Sequence, residues 1–421
     1  METIIVKDTT CPAGDVVDVT FRNLDSRVNY VLHAETVDEL DQRWIATVPI
    51  SPDEAGSEAT VLLDDVMARA TYAGSVPGKP VSRLKLAVFT AMQRRVGSAV
   101  HRFLRFSRNP CMVQLTLSGD DLPRTTTTLS FVFAVPGVTC TATTEPMPGL
   151  MFTPVSEPRG AVLVLTGSAG GTQWSEQVAA ALASRGYAAY APAYFDFRGR
   201  NGLPRSLERI DIARFAEAAQ WLIDRTKMSR VAIIGLSKGA EAALLTATHV
   251  PELFSRVAAL SPGAYAFDGV YTGSRVGRPS WTLNGRDLPF LPYPEGSKPG
   301  MIMPGGELLR LHEGAIKQAS PARLAAAEIP AELFPGPVLL VSGGMDETWP
   351  AAVMAEQIRT RRETVGSGSV GKTRLLHFPE AGHVFTVPGL PPTTESDRQS
   401  PQAMARANRE AWQTLLAFLE D

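Results

Sequence analysis

A serine between two glycines is the strongest chemical feature of this sequence. Gly235, Ser237 and Gly239 have the G-x-S-x-G spacing, with the aliphatic residues VAII directly before and the helix-forming residues KGAEAALL directly after. In a tight turn from strand to helix, this pattern holds the serine in a strained conformation and presents its hydroxyl as a nucleophile. Small flanking residues let strand and helix approach closely, and the helix N-terminus favours developing negative charge. The alternative is an ordinary turn with serine as the helix N-cap.

A serine hydroxyl needs a base, and the base needs a carboxylate that orients it. After a nucleophile elbow, the acid and then the histidine follow in chain order, each in a loop after a strand. Asp346 follows the aliphatic run GPVLLVSGG, and His383 follows the run TRLLHFPEAG. We therefore predict that Ser237, Asp346 and His383 form a catalytic triad.

Elimination supports this choice of histidine. The sequence has six histidines, and four of them lie away from the loops in question: His33, His101, His249 and His312. His377 competes with His383, but it lies within the strand pattern RLLHF. Three other carboxylates are alternatives to Asp346 as the acid, and we expect each of them at the surface: Asp268, Asp287 and Glu380.

The reaction also needs N–H donors for the oxyanion of a tetrahedral intermediate. One is expected from the backbone of Lys238, and another from a loop after an earlier strand. The sequence VLVLTGSAGGTQW supplies such a loop, in which Ser168 or Ala169 is the expected donor. The loop lacks the GKS/T ending of a P-loop and the GxGxxG spacing of a dinucleotide site. Three of its glycines would let the main chain approach a substrate: Gly167, Gly170 and Gly171.

Composition argues against several other functions. The chain has 421 residues, 44% of them hydrophobic, and a formal net charge of −2, so we expect neither a nucleic-acid partner nor a polybasic membrane patch. Cys11, Cys111 and Cys140 are widely spaced without a CxxC pair, which predicts neither a zinc site nor a disulfide framework. We expect no metal and no cofactor. The start has no signal-peptide pattern, and no apolar run approaches the roughly 20 residues of a membrane span. We expect a soluble, cytoplasmic protein whose oligomeric state is open.

The pattern of the sequence changes after residues 136 and 137. Before them lie β-rich stretches that are typical of a sandwich, at 16–21, 59–63, 112–117 and 126–135. After them strands alternate with alanine-rich helices, as in a parallel sheet with crossover helices. We therefore predict an immunoglobulin-like β-sandwich over 1–136 and an α/β domain over 137–421, with a long helix over 208–225. The segment 84–106 is open between a helix and an excursion between strands.

A segment rich in Gly and Pro interrupts the second domain. It exceeds the usual loop of about 4 to 6 residues, and we predict an irregular, lid-like insertion around 264–334. Its aromatic residues Trp281, Phe290 and Tyr293 argue against simple disorder. All three are candidates to line a substrate pocket, with packing of the lid as the alternative.

These segments resemble, in order, the family of type I acyl-CoA thioesterases and bile acid-CoA:amino acid N-acyltransferases. LTGSAGG resembles the oxyanion loop of that family, GLSKGAE its elbow, SWTLNGRDLPFLP its insertion, GPVLLVSGGMDETWP its acid loop and FPEAGH its histidine loop. The N-terminal third matches only in general pattern. The resemblance implies a β-sandwich joined to an α/β-hydrolase domain, with the same triad.

The thioesterases of this family use a serine nucleophile and the amino acid-conjugating members a cysteine. With Ser237, the resemblance therefore implies hydrolysis of an acyl thioester, with an acyl-CoA as the expected substrate, through an acyl-serine that water attacks. Transfer to an amine or alcohol, hydrolysis of an ester, lactone or amide, and a non-catalytic binding role stay open. Arg275, Arg278 and Lys298 are candidates to meet CoA phosphates, with solvated surface positions as the alternative.

Overall fold

A computed structural model describes residues 2–53, 56–75, 103–120, 124–270, 277–297, 306–364, 372–396 and 398–421. Its contacts divide the chain into two compact units. The first is Met1–Val135 with Thr386–Trp412, and the second is Pro136–Phe385 with Gln413–Asp421. Most of the segment 84–106, together with Arg275 and Lys298, lies outside the described residues.

The first unit contains two β-sheets around one core. Its elements are β1 (Thr3–Ile5), β2 (Thr10–Pro12), β3 (Asp18–Arg22), β4 (Tyr30–Val37), β5 (Gln42–Ile50), β6 (Glu58–Leu62), α1 (Leu63–Met67), β7 (Thr71–Ser75), β8 (Cys111–Gly119) and β9 (Thr125–Val132). One sheet has the order β2, β9, β8, β4, β5, β7 and the other β1, β3, β6. Alternate residues of β8 are buried, because one face of the strand packs on the core. Both sheets contribute to this core, which confirms the predicted β-sandwich.

A segment near the C-terminus packs within the first unit. The sequence predicts it as part of the second domain, and three contacts explain the difference. Arg409 Nε lies 2.9 Å from Asp64 Oδ2. The N–H of Gly14 donates to the carbonyl of Pro388 at 2.9 Å. A Cβ atom at Gly14 would lie 2.3 Å from Trp412 Nε1, so this glycine allows the indole to approach the backbone.

The second unit is built on an eight-stranded sheet. The strands of this unit are β10 (Thr139–Thr143), β11 (Gly149–Thr153), β12 (Gly160–Leu165), β13 (Tyr187–Pro192), β14 (Ile210–Asp211), β15 (Val231–Leu236), β16 (Phe254–Leu260), β17 (Trp281–Leu283), β18 (Arg286–Asp287), β19 (Val338–Gly343) and β20 (Thr373–Phe378). β14, β17 and β18 form a separate small sheet. The large sheet has the order β10, β11, β13, β12, β15, β16, β19, β20. Its last six strands are parallel, and β13, β15 and β19 are buried throughout because both faces are covered. This is the predicted α/β-hydrolase domain.

The remaining helices are α2 (Gln173–Ala183), α3 (Ala213–Thr226), α4 (Lys238–His249), α5 (Glu307–Gln318), α6 (Pro321–Ala327), α7 (Ala351–Thr364) and α8 (Pro401–Glu420). The buried face of α3 has the i, i+3, i+4, i+7 spacing of an amphipathic helix, with Phe215, Ala218, Ala219 and Leu222. None of the helices in the described ranges is long and apolar enough to cross a membrane.

The helix predicted over 208–225 begins only at Ala213. The residues before it form β14, which pairs in parallel with β17 of the insertion. Ile210 donates its N–H to the carbonyl of Ser280 at 2.9 Å. The Asp211 carboxylate then accepts the N–H of Ala213 at 3.0 Å. This segment pairs with the insertion instead of extending the helix, which local sequence periodicity did not reveal.

The sequence predicts an irregular insertion. The structure shows that part of it is regular, because it contains the helices α5 and α6. The expectation that Asp268 lies at the surface is wrong, because its carboxylate is fully buried and organises the start of the insertion. This group accepts N–H groups from Gly269 at 3.0 Å, Gly277 at 2.8 Å, Arg278 at 3.1 Å and Tyr293 at 3.1 Å. One carboxylate thereby joins backbone segments that are distant in sequence.

His312 is a buried neutral side chain within α5. Its Nδ1 lies 2.9 Å from the carbonyl oxygens of both Leu308 and Thr348, so Nδ1 carries the hydrogen. Its Nε2 lies 3.1 Å from the hydroxyl of Tyr293 and accepts from it. Burial, together with the positive charge of Lys238, lowers the pKa of His312 to about 3. The histidine therefore stays uncharged in the folded protein at neutral and mildly acidic pH.

Two glycines let β15 turn directly into α4. A Cβ atom at Gly235 would lie 2.0 Å from the carbonyl oxygen of Gly239. A Cβ atom at Gly239 would lie 2.3 Å from the carbonyl oxygen of Thr166 and 2.4 Å from that of Leu165. The backbone of the first turn of α4 is therefore in direct contact with the backbone at the end of β12.

We expect Gly239→Ala to destabilise the protein by about 3 kcal/mol or more, because the added methyl meets rigid backbone. The free energy of unfolding in urea measures the effect. Gly202→Ala is the control: nothing lies within 4 Å of the added Cβ, and only the positive φ of 69° opposes it. Its cost should stay near about 1 kcal/mol. Equal losses in both variants would contradict the close backbone contact.

We expect His312 to make stability depend on pH. Because burial lowers its pKa from 6.5 to about 3 in the folded state, only the unfolded chain takes up this proton between those values. The stabilisation is complete above pH 6.5 and is lost as pH falls, by up to about 1.4 kcal/mol per pH unit. Urea unfolding between pH 7.5 and 4 should show a shallower loss for His312→Gln. The exposed His377→Gln should follow the parent protein, and a parallel slope for His312→Gln would refute this account.

Candidate active site

Ser237 lies in a strained turn between β15 and α4. Its backbone has φ 57° and ψ −121°, which a residue with a side chain rarely adopts. It occupies the N-cap position of the helix, but its hydroxyl makes no capping hydrogen bond. The N-cap interpretation is therefore wrong, and the hydroxyl is left for another role. The N–H of Ser237 donates to the carbonyl of Leu260 at 2.9 Å, which fixes the turn to the end of β16.

Asp346 and His383 meet in the loops that follow β19 and β20. His383 Nδ1 lies 2.6 Å from Asp346 Oδ2, and both side chains are buried. Because a carboxylate only accepts, Nδ1 donates, and Nε2 is left as the basic nitrogen. The other oxygen of Asp346 accepts the N–H groups of Thr348 at 2.8 Å and Trp349 at 3.1 Å. These bonds fix the orientation of the carboxylate that holds the histidine.

The two glycines before Asp346 allow these loops to approach. A Cβ atom at Gly343 would lie 2.2 Å from the carbonyl oxygen of Gly382, and one at Gly344 would lie 2.4 Å from that of Pro379. The N–H of Gly344 donates to the carbonyl of Phe378 at 2.9 Å. The pair GG at a strand end is a sequence signal for this contact.

The end of β16 joins the nucleophile turn to the histidine loop. Leu260 accepts the N–H of Ser237, and the next residue, Ser261, donates its hydroxyl to the carbonyl of His383 at 2.6 Å. The indole N–H of Trp349 donates to the carbonyl of Ser261 at 3.2 Å. The Trp349 ring also packs edge-on against the His383 ring, with centroids 5.7 Å apart. Sequence reasoning missed both residues. Ser261 lies in none of the segments that carry the family resemblance, and Trp349 lies in the segment that resembles the acid loop, where the sequence gives no reason to assign it a role.

The glycine-rich loop after β12 borders the nucleophile. A Cβ atom at Gly167 would lie 3.2 Å from Ser237 Cβ and 3.7 Å from Ser237 Oγ. Lys238 is the first residue of α4, where a backbone N–H has no acceptor within the helix. The loop and the helix start therefore bring backbone N–H groups close to the serine.

Hydrogen bonding within this loop separates its possible donors. The N–H of Gly170 donates to the carbonyl of Gly167 at 3.4 Å, and that of Gly171 to Phe195 at 2.9 Å. In the described part of the chain, the N–H groups of Ser168 and Ala169 have no acceptor. The N–H groups of Ser168 and Ala169 are therefore available to donate to an oxyanion, and their role stays a prediction.

A buried ion pair on α4, the helix that follows Ser237, connects this helix to the insertion. Lys238 Nζ lies 3.0 Å from Glu241 Oε1 and donates to the hydroxyl of Ser280 at 3.0 Å. The indole of Trp281 donates to Glu241 Oε2 at 2.8 Å. Burial lowers the pKa of Lys238 and raises that of Glu241, while their mutual attraction opposes both shifts. Breaking either half would leave a buried charge without its partner.

The other candidates lie in ordinary packing or surface positions. Trp281 is buried against aromatic residues of the core, and Phe290 is half-buried with the Arg323 guanidinium 6.0 Å from its ring centroid. Substrate contact by these two residues stays a prediction. Arg278, which we considered for CoA phosphates, forms an ion pair with Glu208 at 2.5 Å.

Comparison with known proteins places the site within a family. The family model described as "BAAT / Acyl-CoA thioester hydrolase C terminal" matches residues 210–421, which is half of the chain. Acyl-coenzyme A amino acid N-acyltransferase 1 of Mus musculus is 28% identical over 248 residues, covering 58% of this chain and 53% of the relative. Acyl-coenzyme A thioesterase 6 of Mus musculus is 26% identical over 275 residues, with coverages of 62% and 59%.

Bile acid-CoA:amino acid N-acyltransferase of Homo sapiens is 27% identical over 322 residues, covering 70% of this chain and 68% of the relative. The matches to the two mouse proteins span little more than half of the length of those relatives. The family match includes the elbow, the acid loop and the histidine loop. The chain therefore belongs to the BAAT / acyl-CoA thioester hydrolase C-terminal family.

Proposed function

We propose that this protein is a serine acyl hydrolase that cleaves an acyl thioester, with an acyl-CoA as its substrate. The observation that carries the proposal is the conformation of Ser237, whose backbone is strained and whose hydroxyl makes no capping hydrogen bond to the helix it precedes. Such strain persists where the surrounding structure imposes it, and it clusters at active sites. The hydrogen-bonded pair of His383 and Asp346 supports a general base for this hydroxyl.

In the first half of the reaction, Ser237 Oγ forms a bond to the thioester carbonyl carbon while His383 takes its proton. The N–H of Lys238, with that of Ser168 or Ala169, stabilises the oxyanion of the tetrahedral intermediate. When the C–S bond breaks, the histidine gives the proton to the departing thiolate. The products of this half are a free thiol and an acyl ester on Ser237.

In the second half, water attacks the acyl ester. His383 removes a proton from the water and later returns it to Ser237 Oγ as the C–O bond to the serine breaks. The Asp346 carboxylate stabilises the imidazolium that forms in both halves. A free carboxylic acid leaves, and the enzyme returns to its starting state.

Acyl transfer to an amino acid is the second candidate, because two of the relatives above are named N-acyltransferases. It uses the same acyl-serine, and an amine replaces water in the second half. Mass spectrometry of products formed from an acyl-CoA in a mixture of amino acids separates the two. Free acid supports hydrolysis, and an N-acyl amino acid supports transfer.

Replacing the nucleophile tests the proposal directly. We expect Ser237→Ala to lower thiol release from acyl-CoAs by at least about 10³-fold, because the acyl-enzyme cannot form. Labelling by a serine-directed phosphonate should disappear as well. Ser184→Ala, at the end of α2, should keep both activities. Undiminished turnover and labelling in Ser237→Ala would overturn the mechanism, and turnover of aryl esters alone would overturn the thioester assignment.

Exposed arginines that follow β13 favour a substrate whose leaving group carries negative charge. Arg200 lies 2.6 Å from the buried carboxylate of Asp196, which fixes its guanidinium. Arg200 Nη2 would lie 3.5 Å from a Cβ atom at Gly171, at the end of the loop that borders Ser237. Arg198 and Arg205 are exposed on the same loop. This positive charge near the glycine-rich loop suits the phosphate groups of CoA.

We expect the double variant Arg198→Glu, Arg205→Glu to raise KM for acyl-CoA at least about fivefold, because the two introduced carboxylates repel the phosphates of CoA. The thioester of N-acetylcysteamine with the same acyl group lacks phosphates, so its kcat/KM should not change. Arg230→Glu is the control, because Arg230 precedes β15 and therefore lies at the other end of that strand from Ser237. An equal loss with both thioesters would exclude phosphate binding at this loop.

A further inference from the structure

We propose that Ser261 is a positioning residue that keeps His383 aligned with the nucleophile Ser237. This inference rests on the proposed function. Ser261 directly follows β16 and is fully buried. Its hydroxyl donates to the main-chain carbonyl of His383 at 2.6 Å. It therefore acts on the backbone that carries the imidazole and does not touch a reacting atom.

Ser261, like the nucleophile, is a non-glycine residue with a positive φ. Its φ is 46°, in the left-handed region that favours glycine. The next residue is Pro262, which restricts the backbone of the residue before it further. A buried serine keeps such a conformation only where its surroundings impose it, and such sites cluster around active sites.

Three hydrogen bonds hold this residue, and only one of them needs a serine. Its N–H donates to the carbonyl of Val341 at 2.7 Å, and its carbonyl accepts the indole N–H of Trp349 at 3.2 Å. Any residue in this conformation can make those two backbone bonds. The bond from the hydroxyl to His383 is the one that depends on the side chain.

This bond sets the relation between base and nucleophile. The N–H of Ser237 is bonded to Leu260, the residue directly before Ser261. Nucleophile and histidine are thus attached to two consecutive residues at the end of one strand. The histidine must also face Asp346, which lies 2.6 Å from its Nδ1. A shift of the histidine loop would misalign the proton transfer while leaving substrate binding intact.

Two substitutions separate this role from a contribution to folding. Ser261→Ala and Ser261→Gly both remove the hydroxyl, but glycine adopts a positive φ without strain, so Ser261→Gly should be the more stable. We expect kcat for acyl-CoA hydrolysis to fall about tenfold in both variants, with KM within about twofold of the parent. Thermal unfolding and circular dichroism report the fold of each.

A double-mutant cycle tests whether Ser261 acts through the histidine. In Asp346→Asn the imidazole has already lost its orienting partner, so adding Ser261→Gly should cost about twofold or less. Single-turnover acylation measures these slow variants. Ser342→Ala is the matched control, because Ser342 is a buried serine at the end of β19 whose hydroxyl lies 3.2 Å from Nδ1 of His377 instead. Its kcat should equal that of the parent.

Three results would overturn the inference: parental kcat in Ser261→Gly, an activity loss in Ser261→Ala that follows its melting temperature alone, or full additivity in the cycle. The proposed function fails by a different measurement, namely retained turnover in Ser237→Ala. If Ser237→Ala is inactive and Ser261→Gly has parental kcat, the triad stands and the positioning role does not.

Discussion

The direct contact between α4 and the end of β12 is the constraint on which the candidate active site depends. Gly239 has no room for a side chain beside the carbonyl oxygens of Leu165 and Thr166. Because the helix starts this close to the sheet, the residue before it, Ser237, turns through a positive φ. The same contact brings Gly167 next to the serine. One steric relation thus places both the hydroxyl and the backbone N–H groups that would face an oxyanion.

The buried charges behind this turn have a different physical effect. A buried ion pair adds little net stability, because desolvation of both charges offsets their attraction. The pair of Lys238 and Glu241 nevertheless defines geometry, since it must stay together and it also binds Ser280 and Trp281. The insertion is thereby attached to the residue that follows the nucleophile. A neutral His312 is favourable in this environment, because a second positive charge near the ammonium group of Lys238 would be unfavourable.

Much of the fold followed from the sequence, and the errors have specific causes. Continuous aliphatic runs before glycine predicted the parallel strands, since strands buried on both faces need apolar residues throughout. The helix over 208–225 was predicted too long, because its first residues pair with β17 of the insertion. Thr386–Trp412 was assigned to the wrong unit, because neither its composition nor its periodicity indicates its packing partner. Both errors concern contacts between residues that are far apart in the chain.

By itself, the sequence indicated an α/β domain, the G-x-S-x-G turn and the candidate residues Ser237, Asp346 and His383, because strand patterns and glycine spacing are local properties. Its resemblance to a known family implied the α/β-hydrolase fold. The tertiary structure decided that the serine does not cap its helix, and it brought the acid and the histidine within 2.6 Å. It also decided the place of Ser261, whose hydroxyl reaches a residue more than a hundred positions away. Such contacts depend on the packing of strand ends, and no local pattern encodes them.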